Sequence, residues 1–176
     1  VSGKMRADHG HPAPYNLRFV GLGNEETIDL SYWTRFRLLA SAIWAKDPQI
    51  VLVVGDFSYD QVIVDPFKFT GGRRIATLEF HQKILDFAKA NDREVWFDCH
   101  VWTDSVGEQD ADSKVREQVA ALPSFHTALV SIRPGARFKL VVFALKADTH
   151  DMNRGNGNAL AIGMMRRHSG ALHMVY

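Results

Sequence analysis

The chain has 176 residues, of which 46% are hydrophobic and 23% are charged, a composition typical of a folded globular domain. Its formal net charge of +1 gives no electrostatic basis for binding nucleic acid or an anionic membrane surface. Cys99 is the only cysteine, which excludes an internal disulfide framework. No apolar run approaches the length that spans a bilayer. We therefore expect no nucleic-acid partner and no membrane contact. Residues 1–16 lack an apolar signal core and indicate no compartment.

Short apolar runs of strand-forming residues recur along the chain. They cover residues 17–23, 50–55, 94–100 and 138–143, with a weaker run at 171–176. The runs are nearly continuous rather than alternating, which is typical of parallel strands buried on both faces. The pattern predicts five parallel strands.

Segments with helical spacing separate these strands. Apolar side chains recur at three- and four-residue steps from Tyr32 to Trp44, and again around residues 78–88. A third segment covers 112–132, where Pro123 is expected to break or kink the helix. The fourth contains GNALAIGMMRRH. Strand and helix alternate throughout, so we predict a single α/β domain over residues 1–176 with right-handed crossovers.

Two architectures fit this alternation: a segment of a (β/α)8 barrel and an open parallel α/β sheet. A complete barrel usually needs about 250 residues, so the chain has room for part of one. An open sheet usually carries a glycine-rich phosphate-binding turn after its first strand. The turn GLGNEE lacks the third glycine, and Glu25 and Glu26 would repel phosphate. We predict the partial barrel, with the open sheet as the alternative.

The stretch FVGLGNEETID places Asn24, Glu25 and Glu26 directly after the first strand. Either these residues cap the next helix, or they face a substrate. Polar or aromatic residues also lie at the ends of the second and third strands, namely Asp56, Asp98, His100 and Trp102. At the carboxyl ends of barrel strands, such side chains converge on one rim.

The segment RADHGHPAPYNLRFVGLGNEE resembles the approach to the acid/base glutamate in the α-L-arabinofuranosidase family of retaining glycoside hydrolases. EVWFDCHVWTD is similar to the sixth-strand region of the barrels of such enzymes, and NALAIGMMRRH to the helix after the seventh strand. The resemblance covers essentially the whole chain but only the second half of a (β/α)8 TIM barrel, about strands four to eight.

This resemblance implies that Glu25 is the general acid/base and that Asn24 binds the sugar 2-hydroxyl. A retaining glycosidase needs an acid that protonates the leaving oxygen and a second carboxylate, about 5–5.5 Å away, that attacks the anomeric carbon. Glu26 is expected in the first turn of the following helix, where the helix dipole favours an acidic residue.

The expected nucleophile is missing. In this family it is a glutamate at the end of the seventh strand, which here reads KLVVFALKADTH, and the resemblance places that position on Ala144. A methyl group cannot form a glycosyl-enzyme intermediate. Asp148, from the following loop, is the alternative source of a carboxylate. We therefore predict that the chain lacks a complete double-displacement site.

Five further residues are candidate sugar contacts. Asp56 and Tyr59 either touch sugar at the rim or stabilise a turn. Asp98 and His100 alternate along one strand and so share a face. His100 bonds the nucleophile position or a sugar hydroxyl, or is a core histidine. Trp102 offers a ring on which a sugar can stack, or packs at the rim.

No metal site and no cofactor are predicted, because the histidines and Cys99 show no recognisable ligand spacing. Two functions follow: a glycoside hydrolase of the α-L-arabinofuranosidase type, or a non-catalytic carbohydrate-binding or structural barrel fragment, which Ala144 favours. A carbohydrate is the expected ligand. Because a half-barrel leaves two open sheet edges, we also expect self-association or pairing with an N-terminal barrel half.

Overall fold

Parallel strands form the centre of the computed structural model, which describes residues 2–56, 62–69, 77–104, 111–148, 154–167 and 172–174. The strands are β1 (Phe19–Leu22), β2 (Val51–Val54), β3 (Glu94–Asp98), β4 (Val101–Asp104), β5 (Arg137–Val142), β6 (Leu145–Asp148) and β7 (Leu172–Met174). A five-stranded sheet has the order β1-β2-β3-β5-β7, and β4 pairs with β6 separately. The strands β1 and β7 are its edges, so the described strands form an open parallel α/β sheet, as in the alternative prediction.

The helices are α1 (Ser2–Asp8), α2 (Leu30–Lys46), α3 (Glu79–Ala90), α4 (Ala111–Ile132) and α5 (Arg154–Arg166). The four helices predicted from apolar spacing are present as α2 to α5. The short helix α1 was not predicted, nor were β4 and β6 as separate strands. Across the described residues, no helix is both long and apolar enough to cross a membrane.

Helix α4 continues through Pro123, so of the two expected effects, a break or a kink, the break is wrong. A proline inside a helix removes one backbone hydrogen bond and costs about 3 kcal/mol. Val119, Leu122 and Phe125 are fully buried on either side of it. Burial of each such side chain contributes about 1.5–3 kcal/mol, which offsets the cost of the proline.

One face of the sheet packs against the helices. Alternate strand residues supply this face, among them Leu52, Val54, Val95, Phe97, Leu140 and Val142. They form one hydrophobic cluster with side chains of α2, α3 and α4, which include Phe36, Leu85 and Phe125. Strands that follow one another in chain order with right-handed crossovers place their helices on the same face, which explains this one-sided core.

The opposite face of the sheet is only partly covered. Phe19 is 45% exposed there, and its ring lies 4.5 Å from that of Trp96. The ammonium group of Lys139 lies 5.1 Å from the centre of the Trp96 ring. The expectation that the strands are buried on both faces therefore holds for Val53 and Val141, which are 2% and 0% exposed on this face, and fails at Phe19 on the edge strand β1.

A one-residue bulge separates β5 from β6. Asp98 pairs with Val141 and Val101 pairs with Leu145, so two residues of one strand oppose three of the other. Val142 and Leu145 both pack on the hydrophobic cluster although regular alternation would place them on opposite faces. Such a bulge leaves a residue outside the regular ladder and often lies beside a functional site.

The carboxyl ends of β1 and β2 approach so closely that only glycine fits. A Cβ added to Gly55 would overlap the carbonyl group of Gly23 and lie 2.7 Å from the backbone nitrogen of Asn24. The amide of Gly55 bonds the carbonyl of Leu22 at 3.3 Å, and the amide of Glu26 bonds the carbonyl of Gly55 at 2.8 Å. These contacts hold the loop after β1 against the end of β2.

We expect Gly55→Ala to lower the free energy of unfolding by about 3 kcal/mol, because the added methyl group meets backbone that cannot move aside. Gly163→Ala is the matched control: Gly163 is exposed in α5, and its added Cβ meets nothing within 4 Å. Alanine there should stabilise the helix by about 0.5–1 kcal/mol. Denaturant unfolding of the three proteins checks this, and similar stability of both variants would contradict it.

Candidate functional site

Asp29, rather than Asn24 or Glu26, caps α2. Its side chain accepts a hydrogen bond from the amide of Tyr32 at 2.9 Å, and the helix begins at Leu30. Glu26 lies in the loop before the cap, so the expectation that it belongs to the first helical turn is wrong. Its carboxylate pairs instead with Arg35, an α2 residue, at 3.3 Å. Asn24 is exposed in the same loop. Capping therefore does not explain why Asn24, Glu25 and Glu26 follow β1.

Glu25 turns away from Glu26 and towards the end of β3. Its backbone is left-handed, with φ of 51°, which is uncommon for a residue other than glycine. Its Oε1 lies 3.0 Å from Nδ1 of His100, and its side chain is 28% exposed. A left-handed residue that is held by a specific contact is a frequent feature of functional sites. Glu25 thus presents a partly exposed carboxylate at the carboxyl end of the sheet.

His100 lies between two carboxylates. Its Nε2 is 3.1 Å from Oδ2 of Asp98, and the His100 and Asp98 side chains are only 5% and 8% exposed. The hydrogen bond with Asp98 raises the pKa of His100 above 6.5; burial opposes this, and the bond with Glu25 adds to it. The ring therefore favours its charged form, in which both nitrogens donate. We call Glu25, His100 and Asp98 the rim cluster.

The other oxygen of Asp98 reaches the bulge. Its Oδ1 accepts a hydrogen bond from the amide of Phe143 at 3.0 Å. Ala144 follows at once, and its carbonyl accepts from the amide of Val101 at 3.0 Å. The position that the resemblance assigns to the nucleophile therefore lies beside the rim cluster. The described contacts of the His100 ring are to Glu25 and Asp98.

Asp56 and His81 form a second pair that is fully buried. Oδ2 of Asp56 lies 2.7 Å from Nε2 of His81, and neither side chain is exposed. The His81 ring lies 5.7 Å from the rings of Phe97 and Phe125. This burial favours a structural role for Asp56 and gives no support to its predicted sugar contact. His81 was not predicted, although a histidine within the apolar spacing of α3 is the signal of such a buried pair.

Tyr32 fixes the loop from the side of α2. Its hydroxyl donates to the carbonyl of Leu22 at 2.5 Å and accepts from the amide of Gly55 at 3.3 Å. Burial raises the pKa of Tyr32 far above its ordinary value, so the phenol stays protonated and keeps donating. Apolar spacing identified Tyr32 as a core residue but could not reveal this contact.

Cys99 packs in the hydrophobic cluster between Asp98 and His100 in the chain. Burial raises the pKa of its thiol, and the carboxylates of Asp56 and Asp98 add to this effect. The thiol therefore stays protonated and unreactive. Within the described ranges, no group of three or more histidine, cysteine, aspartate or glutamate side chains is arranged to hold a metal ion.

Three of the predicted residues are described incompletely or not at all. Tyr59 lies outside the described residues. Trp102 belongs to β4, and Asp148 ends β6 rather than lying in the following loop, but both side chains are outside the described part of the chain. Sugar stacking on Trp102 and sugar contact by Tyr59 stay predictions.

A cavity of about 790 Å³ opens elsewhere, between residues 14–17 and the last turns of α2. Its lining is mainly apolar and includes Tyr15, Leu39 and Ile43. No member of the rim cluster lines it. The candidate site is therefore defined by the carboxylate and imidazole groups at the sheet end, not by this cavity.

Comparison with known proteins identifies a related family. A family model described as the alpha-L-arabinofuranosidase 1 domain matches residues 1–118, or 118 of 176 residues. The matched region contains the whole rim cluster and ends before Ala144.

One curated relative is an extracellular exo-alpha-L-arabinofuranosidase from Streptomyces chartreusis, which is 41% identical over 51 residues. That segment is 29% of this chain but only 6% of the relative. Among solved structures, the arginine decarboxylase of Paramecium bursaria Chlorella virus aligns with a TM-score of 0.42 and 12% identity, covering 89% of this chain and 38% of that one. Similarity at this level does not establish a shared fold.

Proposed function

Because the chain belongs to the alpha-L-arabinofuranosidase 1 domain family, we propose that its rim cluster is a sugar site for arabinose-containing glycosides, derived from a retaining glycoside hydrolase. One observation carries this proposal. Glu25 lies at the carboxyl end of the sheet with a partly exposed carboxylate that His100 orients. That is the arrangement expected of a general acid/base, which must reach the glycosidic oxygen while it is held in place.

In this proposal Glu25 is the acid/base and Asn24 binds the sugar 2-hydroxyl. The exposure of Asn24 beside Glu25 supports the second role. Ala144 occupies the position of the lost nucleophile, so the hydrolytic double displacement is incomplete as the chain is written. The alternative is a non-catalytic carbohydrate-binding protein or a structural barrel fragment. The absence of a carboxylate at Ala144 favours this alternative for the present sequence.

We also propose that the sheet is a segment of a (β/α)8 barrel, about strands four to eight. The order β1-β2-β3-β5-β7 supports this, because the strands of the five-stranded sheet lie in chain order without reversal. A doubly wound sheet would reverse its order at a switch point. The mixed face with Phe19, Trp96 and Lys139 would then be the barrel interior. An N-terminal barrel half or a second copy of the chain would cover it.

Glu25→Gln should weaken the binding of methyl α-L-arabinofuranoside about tenfold or more, because a hydrogen bond to a charged group is worth about 1.5–3 kcal/mol. Glu26→Gln is the control: its partner Arg35 is a half-exposed surface residue, and its loss should change affinity less than about twofold. Titration calorimetry across a range of pH measures both. Equal effects of the two variants would contradict the assignment of Glu25.

Rescue by azide distinguishes an enzyme that lacks only its nucleophile from a protein that only binds sugar. We expect no release of nitrophenol from a nitrophenyl arabinofuranoside without azide, since no carboxylate attacks the anomeric carbon. If Glu25 still acts as an acid, azide should restore measurable release by attacking in place of the missing carboxylate. Retained sugar binding without rescue would instead establish the non-catalytic alternative.

The barrel proposal predicts association of the chain in solution. Open edges at β1 and β7 and the partly exposed apolar face should drive it to a dimer or a larger assembly at micromolar concentration. Analytical ultracentrifugation measures this. A monomer with a cooperative thermal transition would favour the open sheet over the barrel segment.

A further inference from the structure

We propose that Asp98 is the positioning residue of the site: it orients Glu25 through His100 while it fixes the bulge that carries Ala144. The role of this arrangement in sugar recognition rests on the function proposed above, whereas its geometry does not.

The carboxylate of Asp98 contacts both His100 and the bulge. Oδ2 of Asp98 lies 3.1 Å from Nε2 of His100, and Nδ1 on the other side of the ring lies 3.0 Å from Oε1 of Glu25. Oδ1 of Asp98 accepts from the amide of Phe143 at 3.0 Å. Asp98 therefore connects three segments: the loop after β1, the end of β3 and the bulge between β5 and β6. Its own side chain is nearly buried, so its contact with His100 is protected from water.

The number of protons on the His100 ring determines whether both carboxylates are hydrogen bonded. An ionised carboxylate only accepts hydrogen bonds, and a neutral imidazole has one N–H donor and one acceptor. Two ionised carboxylates on one imidazole are therefore both satisfied only when the ring carries two protons. When the ring loses a proton, one of its nitrogens becomes an acceptor. The carboxylate beside that nitrogen, either Glu25 or Asp98, must then carry a proton, or the contact between the two acceptors is unfavourable. The proton of His100 and the hydrogen bonding of Glu25 are consequently linked.

The bulge explains why Asp98 is suited to this role. The extra residue at positions 142–144 removes an amide from the regular ladder, so that amide needs a partner other than the neighbouring strand. Asp98 accepts from that amide at Phe143. The contact fixes the rotamer of Asp98, so its second oxygen is held at the correct place for His100.

The charged neighbours of the His100 imidazole both raise its pKa. Glu25 from the loop after β1 and Asp98 from β3 both favour the imidazolium. Asp56, the next carboxylate at this strand end, pairs with His81. Since the pKa of His100 is raised above 6.5, its two bonds are fully formed below about that pH and weaken as the pH rises through the higher value of the folded protein.

The test is an NMR titration of the His100 ring in the full chain. Asp98→Asn keeps an oxygen for the Phe143 amide but removes the charge, and it should lower the His100 midpoint by about one pH unit. Glu25→Gln should lower it as well, by less. Glu26→Gln, whose partner is Arg35, is the matched control and should leave it unchanged. An unchanged midpoint in both Asp98→Asn and Glu25→Gln would overturn the proposal.

A second measurement, the pH dependence of sugar binding, tests whether the rim cluster acts on the sugar. The binding of methyl α-L-arabinofuranoside should depend on pH with the midpoint of His100, and Asp98→Asn should move both midpoints together. A purely structural role would weaken binding equally at every pH. If the wild type binds no arabinofuranoside yet its His100 midpoint shifts as expected, the proposed function fails and the positioning role stands. If the sugar binds but Asp98→Asn moves neither midpoint, the positioning role fails.

Circular dichroism shows whether Asp98→Asn folds. Should it unfold, Glu25→Gln decides the proposal, since Glu25 lies at the partly exposed end of the cluster and its substitution removes no contact to the bulge. A lower His100 midpoint in Glu25→Gln supports the linkage, and an unchanged one contradicts it.

Discussion

The close approach of Gly23 and Gly55 is the constraint on which the arrangement of the site depends. The ends of β1 and β2 could not approach each other so closely if Gly55 carried a side chain. The contact lets the Glu26 amide bond across to β2, and Tyr32 closes the same junction from α2. Glu25 lies between Gly23 and Glu26, so its left-handed conformation follows from fixed points on both sides. The carboxylate is thus directed by backbone geometry before any side-chain contact acts on it.

The helix-covered face of the sheet and its carboxyl end have different roles. The helix side supplies stability through a continuous apolar cluster that reaches from Phe36 to Leu140. The sheet end carries carboxylates and imidazoles, which form the rim cluster and the Asp56–His81 pair. The two sides meet at β3, where Phe97 is part of the core and Asp98 begins the rim cluster. A single step along one strand therefore separates the hydrophobic interior from the polar site, as the alternation of strand side chains requires.

Periodicity predicted the helices α2 to α5 and the centres of the main strands because each has a regular apolar pattern. It failed where tertiary contacts decide. Packing carries α4 through Pro123, and Asp29 rather than an earlier residue caps α2.

The residues at the strand ends stand out in the sequence as a polar group, yet their partners were not predictable. The pairs Asp56–His81 and Glu25–His100 join positions 25 and 75 residues apart. The bulge after Val142 was invisible as well, since one additional residue does not disturb an apolar run. Only the register of two neighbouring strands reveals it.

The hydrogen bond from Phe143 to Asp98 has a consequence for observing the protein. Most amides in a sheet are protected from deuterium exchange by the strand beside them, so their exchange reports the separation of strands. The Phe143 amide is held by a side chain instead, and its exchange follows the release of Asp98. Exchange at this one amide therefore reports the opening of the site, even while the strands of the sheet stay paired.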